Sequence, residues 1–374
     1  MTPRQREIYD LVQRLGSKGA AARELKIDGH YVRRAYAAAE AWLNADEGVV
    51  AALESTGLSA DAGKHGWRRV QNKETGSWDS VFWKTDTQQQ DEIQQWAELF
   101  REALGTIPPP LPTATPDNVA ADLLPRYLIA DVHFGMRAWK EETGAEYNIE
   151  IAAQRMAEAS AMLINAAPYT ERGLILNLGD TGHANSSSQM TPASGHLLDV
   201  DGRFGQSAMA AVRAHVSMIE AAKTKHRRID VVVLAGNHDP DFTHMLAIAL
   251  VMRYENDERV TVHWHPAKLW AWEWGRTMLT AHHGDRTKPD RLAMQVADVH
   301  SEMWGRTYWR YMDTGHIHQD SARDIGGIFW ESHRALTGRD AAAAAFGYTG
   351  RSTMKCVTVH KERGEVMRYT AGIR

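Results

Sequence analysis

Four short polar motifs follow one another along the chain: Asp131-Val132-His133, Gly179-Asp180, Gly236-Asn237-His238-Asp239 and Gly315-His316-Ile317-His318. Carboxylate, imidazole and amide groups form a donor set that suits Mn²⁺, Fe²⁺, Ni²⁺ or Zn²⁺, and one carboxylate can bridge two such ions. Cys356 is the single cysteine of the sequence, which excludes a zinc site built from several thiolates. The residue types therefore predict a site for two divalent metal ions.

Buried β-strands are predicted immediately before three of these motifs. Arg126 to Asp131, Leu174 to Asp180 and Asp230 to Ala235 are rich in leucine and β-branched residues, which is typical of strands covered on both faces. Alanine-rich helical segments, Ile149 to Ala167 and Gln206 to Thr224, connect them. Strand–helix–strand order predicts a parallel sheet, and the carboxyl ends of its strands bring the motifs together.

Later parts of the chain supply further strands. The candidates are Val260–Trp264, Leu269–Trp274, Thr277–Ala281, Arg310–Thr314, Ile328–Glu331, Lys355–His360 and Glu365–Thr370. The tryptophans of the second candidate recur every two residues, which predicts one strand face packed on another sheet. Together these elements predict an α/β fold of four layers, with two β-sheets flanked by helices.

The motif order closely resembles the calcineurin-like metallophosphoesterase superfamily, from about Arg126 to the C-terminus. The resemblance implies that two divalent ions clamp a phosphate ester for attack by water. We expect Mn²⁺, with iron, nickel or zinc as alternatives. Carried over by position, it implies seven metal ligands: Asp131, His133, Asp180, Asn237, His283, His316 and His318. Asp180 would bridge the two ions.

The resemblance also implies catalytic roles for the two residues after Asn237. His238 would approach the phosphate and stabilise the transition state or protonate the leaving oxygen, and Asp239 would orient the ring of His238. One ligand is ambiguous, because His282 and His283 are adjacent. We favour His283, since neighbouring strand residues face opposite ways and family members use the histidine before the glycine.

The first 45 residues are predicted to form three helices, Gln5–Leu15, Lys18–Leu25 and His30–Leu43. The turn Lys26-Ile27-Asp28-Gly29 offers glycine for a left-handed backbone, which gives the layout of a helix-turn-helix. Basic residues cluster where such a module reads a DNA groove. The candidate DNA-binding residues are Arg23, Lys26, His30, Arg33 and Arg34. The alternative is a helical bundle for protein contact, which would make the protein a homo-oligomer.

The domain organisation follows from changes in composition. Residues 1–45 form the helix-turn-helix, and residues 46–106 add a hairpin between Gly57 and Lys84 and an amphipathic helix at Asp86–Leu104. Residues 107–118 form a proline-rich linker, and residues 119–374 form the catalytic domain. The sequence shows no secretory signal and no membrane-length apolar run. With one cysteine, these features predict a cytoplasmic protein with no membrane partner.

Three residues near the motifs are candidate contacts to substrate: His183 and Asn185, after the bridging aspartate, and Arg286. The loop from Ser186 to Phe204 is expected to shape the substrate entrance. The leading hypothesis is a metal-dependent phosphodiesterase acting on DNA, since helix-turn-helix and dinuclear motifs together resemble DNA-repair nucleases and bacteriophage-type phosphoesterases. The alternatives are a phosphatase or phosphodiesterase for nucleotides or other small esters, with the first domain used for recruitment or assembly, and a DNA-binding regulator without hydrolytic activity.

Overall fold

The computed structural model describes residues 3–29, 31–33, 35–37, 65–71, 78–84, 113–264, 266–345, 347 and 349–374. The chain divides into two compact units, Met1–Glu98 and Leu99–Arg374. The predicted amphipathic helix at Asp86–Leu104 and residues 107–112 of the predicted linker lie outside the described residues. The domain boundaries inferred from composition therefore stay predictions.

Helices form the start of the first unit. They are α1 (Pro3–Leu15) and α2 (Lys18–Leu25), and residues 29, 31–33 and 35–37 are also helical. Ile8, Ala21 and Val32 are buried in one small core, whereas most of the predicted third helix, His30–Leu43, lies outside the described residues. The left-handed residue that ends α2 is Lys26, with φ 52°, rather than the expected Gly29.

A two-stranded antiparallel sheet follows in the first unit. Strand β1 (His65–Gln71) pairs with β2 (Trp78–Lys84), and His65 lies opposite Lys84. These strands lie within the predicted hairpin. Its turn around Gly76 is outside the described residues.

The second unit contains strands and helices in alternation. The strands are β3 (Leu123–Ile129), β4 (Thr170–Asn177), β5 (His226–Val233), β6 (Val260–His263), β7 (Trp270–Trp274), β8 (Thr277–His282), β9 (Trp309–Thr314), β10 (Ser321–Ile325), β11 (Ile328–Ser332), β12 (Thr353–His360) and β13 (Gly364–Gly372). The helices are α3 (Lys140–Thr143), α4 (Ile149–Ala166), α5 (Phe204–Ala222), α6 (Pro240–Tyr254), α7 (Pro289–Val299), α8 (Ser301–Arg306) and α9 (Ala341–Ala345).

Two sheets result from these strands. The six-stranded sheet has the order β13-β12-β3-β4-β5-β6, in which β3 to β6 are parallel and β12 is antiparallel to both neighbours. The five-stranded sheet has the order β10-β11-β9-β8-β7, with β11, β9 and β8 parallel. The antiparallel edges arise from hairpins, whereas the parallel centre needs crossover helices.

Alternating side chains of each sheet fill different cores. Tyr127 of β3 faces a core shared with α4, α5 and α6, whereas its neighbour Leu128 faces a core between the two sheets. Trp270 and Trp274 of β7 lie in the core between the sheets, as their period-two spacing predicts. Leu292 of α7 packs on the outer face of the five-stranded sheet. The fold is therefore the predicted α/β sandwich of four layers.

Buried ion pairs also cross between the sheets. Arg126 of β3 donates a hydrogen bond from its guanidinium group to the carboxylate of Asp313 on β9, and both side chains are almost completely buried. Lys355 of β12 donates to Glu331 of β11 at 2.7 Å. Each pair joins one strand of the six-stranded sheet to one of the five-stranded sheet. These pairs lie beneath the loops that carry the polar motifs.

The helices of the described residues include none that is long and apolar enough to span a lipid bilayer.

Candidate metal centre

The polar motifs lie where strands of both sheets end. Asp131, Asp180 and Asn237 follow β3, β4 and β5 of the six-stranded sheet. His283 and His316 follow β8 and β9 of the five-stranded sheet. The two sheets therefore contribute to one site from their carboxyl edges, as expected for polar residues that end parallel strands.

The ligand atoms of these motifs form two adjacent clusters. Asp131, His133 and His318 make up one cluster and Asp180, His283 and His316 the other, with the ligand atoms of each cluster within 4.8 Å of one another. In the first cluster, Asp131 Oδ1 is 3.4 Å from His318 Nε2. In the second, Asp180 Oδ2 is 3.2 Å from His283 Nε2.

Asp180 also reaches towards the first cluster, since its Oδ2 atom is 3.9 Å from His133 Nε2. The seventh expected ligand, Asn237, places its Oδ1 atom 3.1 Å from His283 Nε2. The structure thus brings all seven together and places Asp180 between the two groups. Of the two adjacent histidines, His283 faces the site, whereas Nδ1 of His282 accepts a hydrogen bond from the Gly284 amide.

The donors fit two divalent cations. His133 Nε2 is buried and has no hydrogen-bond partner among the residues that the structure describes, as expected for a nitrogen whose partner is a metal ion. Burial alone would lower the pKa of His283, but the carboxylate of Asp180 raises it to about 10. The site therefore stabilises positive charge beside Asp180. Nitrogen and oxygen donors of this kind suit Mn²⁺, Fe²⁺, Ni²⁺ or Zn²⁺.

His133 also groups with His183 and His238, and a separate cluster of metal-ligating groups, Asp313, Glu331 and His333, lies between the sheets. Its two carboxylates already bind Arg126 and Lys355, so their negative charge is compensated by the protein itself. We therefore assign this cluster to the packing of the sheets rather than to a metal.

Left-handed backbone conformations concentrate at the candidate ligands. Seven non-glycine residues of the described ranges have positive φ, and five of them are expected metal ligands: Asp131 (49°), His133 (52°), Asp180 (51°), His316 (70°) and His318 (54°). Residues with a Cβ atom adopt this conformation at a cost of about 1–2 kcal/mol each. Such strain collects at functional sites, where it directs side chains that a regular strand would point elsewhere.

The glycines of two motifs are required by the close approach of backbone to carboxylate. A Cβ atom on Gly236 would collide with the carboxylate of Asp180. A Cβ atom on Gly315 would lie 2.6 Å from Asp131 Oδ2. Since real Cβ atoms do not pack so closely, a side chain at either position would displace an aspartate that is a candidate metal ligand.

The expectation that Asp239 orients the ring of His238 is wrong. The Nδ1 atom of His238 is instead 2.9 Å from the carbonyl oxygen of His183, to which it can donate. The fully buried carboxylate of Asp239 accepts hydrogen bonds from three backbone amides, those of Asp180, Gly182 and Gly236, at 2.9–3.2 Å. Asp239 therefore joins the loop after β4 to the loop after β5, and the ring of His238 is positioned by His183 of the loop after β4.

A pocket with a volume of about 480 Å³ opens beside the metal clusters. His133, Asp180 and His238 belong to its lining, and so does Asn237. His238 is half-buried at this wall, where its ring can contact a substrate. The backbone amide of His238 donates to Asp180 Oδ1 at 2.9 Å, which ties the catalytic candidate to the bridging ligand.

The three expected substrate contacts occupy other positions. His183 is buried, with its Nδ1 atom 3.3 Å from Nδ1 of His133, and burial together with His238 lowers the pKa of its imidazole to about 3. Asn185 accepts hydrogen bonds at the start of α6 from the amides of Asp241, at 2.7 Å, and Phe242. Exposed Arg286 pairs with Asp285.

None of His183, Asn185 and Arg286 belongs to the described lining of the pocket, and the same holds for the loop from Ser186 to Phe204. The pocket is lined instead by residues that follow β11, among them Thr337, Arg339 and Arg351. Sequence inspection could not separate these charged residues from an ordinary solvated loop, because they are distant from every motif.

Three of the five candidate DNA-binding residues are described by the structure. Arg23, Lys26 and Arg33 are exposed on the helical part of the first unit. His30 and Arg34 lie outside the described residues. The exposed cations are compatible with contact to a polyanion, and their role stays a prediction.

Neither a protein-family model nor a curated protein matches the chain. Solved structures do match. A predicted phosphoesterase from Streptococcus pneumoniae is 12% identical, with a TM-score of 0.29, over 68% of this chain and 100% of that one. An archaeal phosphodiesterase is 12% identical, with a TM-score of 0.35, over 67% and 99%.

Zinc-bound Vps29 from Entamoeba histolytica is 11% identical, with a TM-score of 0.29, over 66% of this chain and 98% of that one. Likenesses this weak do not transfer a function. The functional argument therefore depends on the geometry of the site itself.

Proposed function

We propose that the protein is a metal-dependent phosphodiesterase that hydrolyses its substrate with water. One observation carries the proposal: two clusters of nitrogen and oxygen donors meet at the carboxyl edge of the sheets, with Asp180 between them. Asp131, His133 and His318 would hold one ion, and Asn237, His283 and His316 the other. When bound, the two ions supply Lewis acidity to a phosphate ester and favour deprotonation of water.

His238 would handle charge and protons at the reacting phosphate. Its Nδ1 atom faces the carbonyl oxygen of His183, which can only accept a hydrogen bond, so the proton of a neutral ring belongs on Nδ1. The remaining nitrogen, Nε2, is then free to take up a proton. A protonated ring on the pocket wall can stabilise negative charge on the phosphate or protonate the leaving oxygen.

Metal analysis together with hydrolysis of chromogenic esters tests this function. The purified protein should bind about two Mn²⁺ ions and hydrolyse bis(p-nitrophenyl) phosphate. His238→Gln should lower kcat by about 10²- to 10⁴-fold while metal remains bound. His196→Gln, which alters an exposed loop histidine, serves as the matched control and should behave as wild type. If metal-loaded wild type hydrolyses neither this diester nor p-nitrophenyl phosphate, the proposal is refuted.

We further propose that the natural diester is DNA. The support is the exposure of three cations, Arg23, Lys26 and Arg33, on a helical unit with its own small core. Neutralising all three to glutamine should weaken DNA binding and reduce the slope of affinity against salt by about 3. The matched variant Arg228→Gln/Arg363→Gln removes two exposed cations of the other unit and should leave this slope unchanged.

Nuclease assays with Mn²⁺ on single- and double-stranded DNA would separate the alternatives. Cutting of DNA that the three neutralising substitutions weaken supports the nuclease. Hydrolysis of small esters with no cutting of DNA would favour the alternative function, a phosphatase or phosphodiesterase for nucleotides and other small esters.

A further inference from the structure

Two arginines line the pocket in addition to the candidate metal ligands. Arg339 and Arg351 belong to the connection between β11 and β12, and they share the pocket of about 480 Å³ with His238 and the metal clusters. Neither arginine is part of the polar motifs. A guanidinium group is a cation with only hydrogen-bond donors, so these two side chains are suited to bind an anion rather than a metal ion.

Close backbone packing places both arginines at the pocket. A Cβ atom on Gly350 would lie only 3.0 Å from the carbonyl oxygen of His318, so the chain before Arg351 runs directly against the ligand loop. A guanidinium nitrogen of Arg339 lies 2.8 Å from the position of a Cβ atom on Gly144, the left-handed residue that ends α3. Glycine at these two sites leaves room for the arginine-bearing connection beside the metal centre.

The positive charge of Arg351 is not balanced by any residue that the structure describes. Arg351 is exposed and makes no side-chain hydrogen bond or ion pair with any residue that the structure describes. Arg339 and the carboxylate of Asp340 lie on the same wall, and each already has an interaction within the protein. The neighbouring Thr337 and Gln319 are neutral. A second anionic group of a substrate would find an uncompensated cation here.

We propose that the pocket selects phosphate esters that carry a second phosphate group, and that Arg351, assisted by Arg339, binds that group. The inference rests on the proposed phosphodiesterase function and adds a substrate class to it. A planar guanidinium group matches phosphate with two parallel hydrogen bonds, which an ammonium group cannot form. The second phosphate can come from the neighbouring position of a nucleic-acid strand or from a nucleoside diphosphate group.

Three thymidine esters test the proposal with one chromophore. Thymidine 5′-(p-nitrophenyl phosphate) has one phosphate group. Its 3′-phosphorylated derivative has a second phosphate where the next phosphate of a nucleic-acid strand would lie. In the p-nitrophenyl ester of thymidine 5′-diphosphate, the second phosphate is bonded directly to the first. With Mn²⁺, wild type should show a kcat/KM about 10- to 100-fold higher for one doubly phosphorylated ester than for the single one. The preferred ester identifies the source of the second phosphate.

Substitution of Arg351 by glutamine should reduce this preference to about twofold or less, because the variant retains no cation at that position. Arg351→Lys should restore part of it, since a lysine supplies the charge without the planar fork. Arg363→Gln removes an exposed arginine from the β12–β13 turn and should retain the full preference. A preference that persists in Arg351→Gln, or one that is missing from wild type, overturns the proposal.

Failure of the proposed function gives a different result. If wild type hydrolyses none of the three esters, the phosphodiesterase function is refuted. Measurements of nucleotide binding then test separately whether Arg351 binds a second phosphate group. Calorimetry with the full chain and Mn²⁺ would compare thymidine 3′,5′-bisphosphate and thymidine 5′-diphosphate with thymidine 5′-monophosphate. Tighter binding of either doubly phosphorylated nucleotide, lost in Arg351→Gln, supports the site, whereas equal binding of all three contradicts it.

Discussion

Replacing Arg126 by methionine should destabilise the protein through the buried carboxylate that it leaves behind. The side chains of Arg126 and Asp313 are 1% and 3% exposed, and their ion pair joins β3 to β9 across the two sheets. Burial would raise the pKa of Asp313, but the guanidinium group of Arg126 holds it below its usual range. Methionine is unbranched and uncharged but shorter than arginine, so the variant removes the charge together with the packing of the guanidinium group over Tyr311.

The size of the effect follows from the partners that remain. Removal of one member of a buried ion pair costs about 3–5 kcal/mol, because the other charge stays out of water without compensation. Asp313 retains a hydrogen bond with His333, at 2.9 Å from Oδ1 to Nε2, so we expect the lower end, about 3 kcal/mol. Domains are typically stable by about 5–15 kcal/mol, so this loss is readily measured.

Urea unfolding at several pH values gives a signature that packing defects lack. In wild type the depressed pKa of Asp313 contributes stability above its unfolded pKa, about 3.9. In Arg126→Met, burial should raise the folded pKa above that value, so the folded variant takes up a proton as the pH falls from 7 towards 4. The stability gap between wild type and variant should therefore narrow over this range.

The double variant Arg126→Met/Asp313→Leu completes the test. Without a stranded carboxylate it should recover most of the loss, since apolar replacements of buried ion pairs are often neutral. Arg323→Met breaks an exposed pair with Asp290 and, as the matched control, should change the unfolding free energy by less than about 1 kcal/mol. Two results would contradict the reasoning. One is a double variant as unstable as Arg126→Met, and the other is a difference in unfolding free energy between wild type and Arg126→Met that is the same at pH 5 and pH 7.

Three further predictions concern the site and its scaffold. Asp180→Asn should lose at least one metal ion by elemental analysis and lower kcat by about 10³-fold or more, because the residue lies between both ligand clusters. Gly236→Ala should also lose metal, since its Cβ atom would collide with the Asp180 carboxylate. In the control variant Gly305→Ala the new Cβ atom would have no other atom within 4 Å, so this variant should bind metal normally. His226 is buried between Tyr127 and Thr170, and burial lowers its pKa to about 3. As the pH falls below about 6.5, the unfolded state therefore protonates this histidine before the folded state does. The contribution of His226 to the free energy of unfolding should then fall by up to about 1.4 kcal/mol per pH unit. Urea titrations at pH 5 to 7 should show that His226→Gln removes this contribution to the slope.

The parallel core of the second unit was predictable because its strands are buried on both faces. Long apolar runs and alanine-rich helices mark such a core, so the predicted helix Ile149–Ala167 matches α4 within one residue. Strand β10 was missed for the opposite reason. Four of its five residues are exposed, so Ser321–Ile325 carries no apolar alternation and is held in the sheet by pairing with β11.

Residue partnerships at the site were less predictable than residue types. Adjacency in sequence suggested that Asp239 supports His238, yet the two side chains of a tight turn face different surroundings. The carboxylate of Asp239 accepts hydrogen bonds from amides of two loops, and the imidazole of His238 contacts the carbonyl oxygen of His183 in one of these loops. Arg351 was missed because nothing in the sequence around a loop arginine indicates that folding will place it beside candidate ligands that are spread from His133 to His318.

The strained backbone of the ligands explains how the sheets can present a metal site at all. A strand continuing past Asp131 would keep Asp131 and His133 on one face but about 6–7 Å apart along the strand, whereas His318 follows a strand of the other sheet. Left-handed turns at all three redirect them, and the loops compensate one another: the His133 amide donates to the carbonyl oxygen of Asp180 at 3.0 Å, and the His316 amide donates to Asp131 Oδ2 at 3.0 Å. Because these hydrogen bonds join one ligand loop to another, the protein's own contacts help to position the donors.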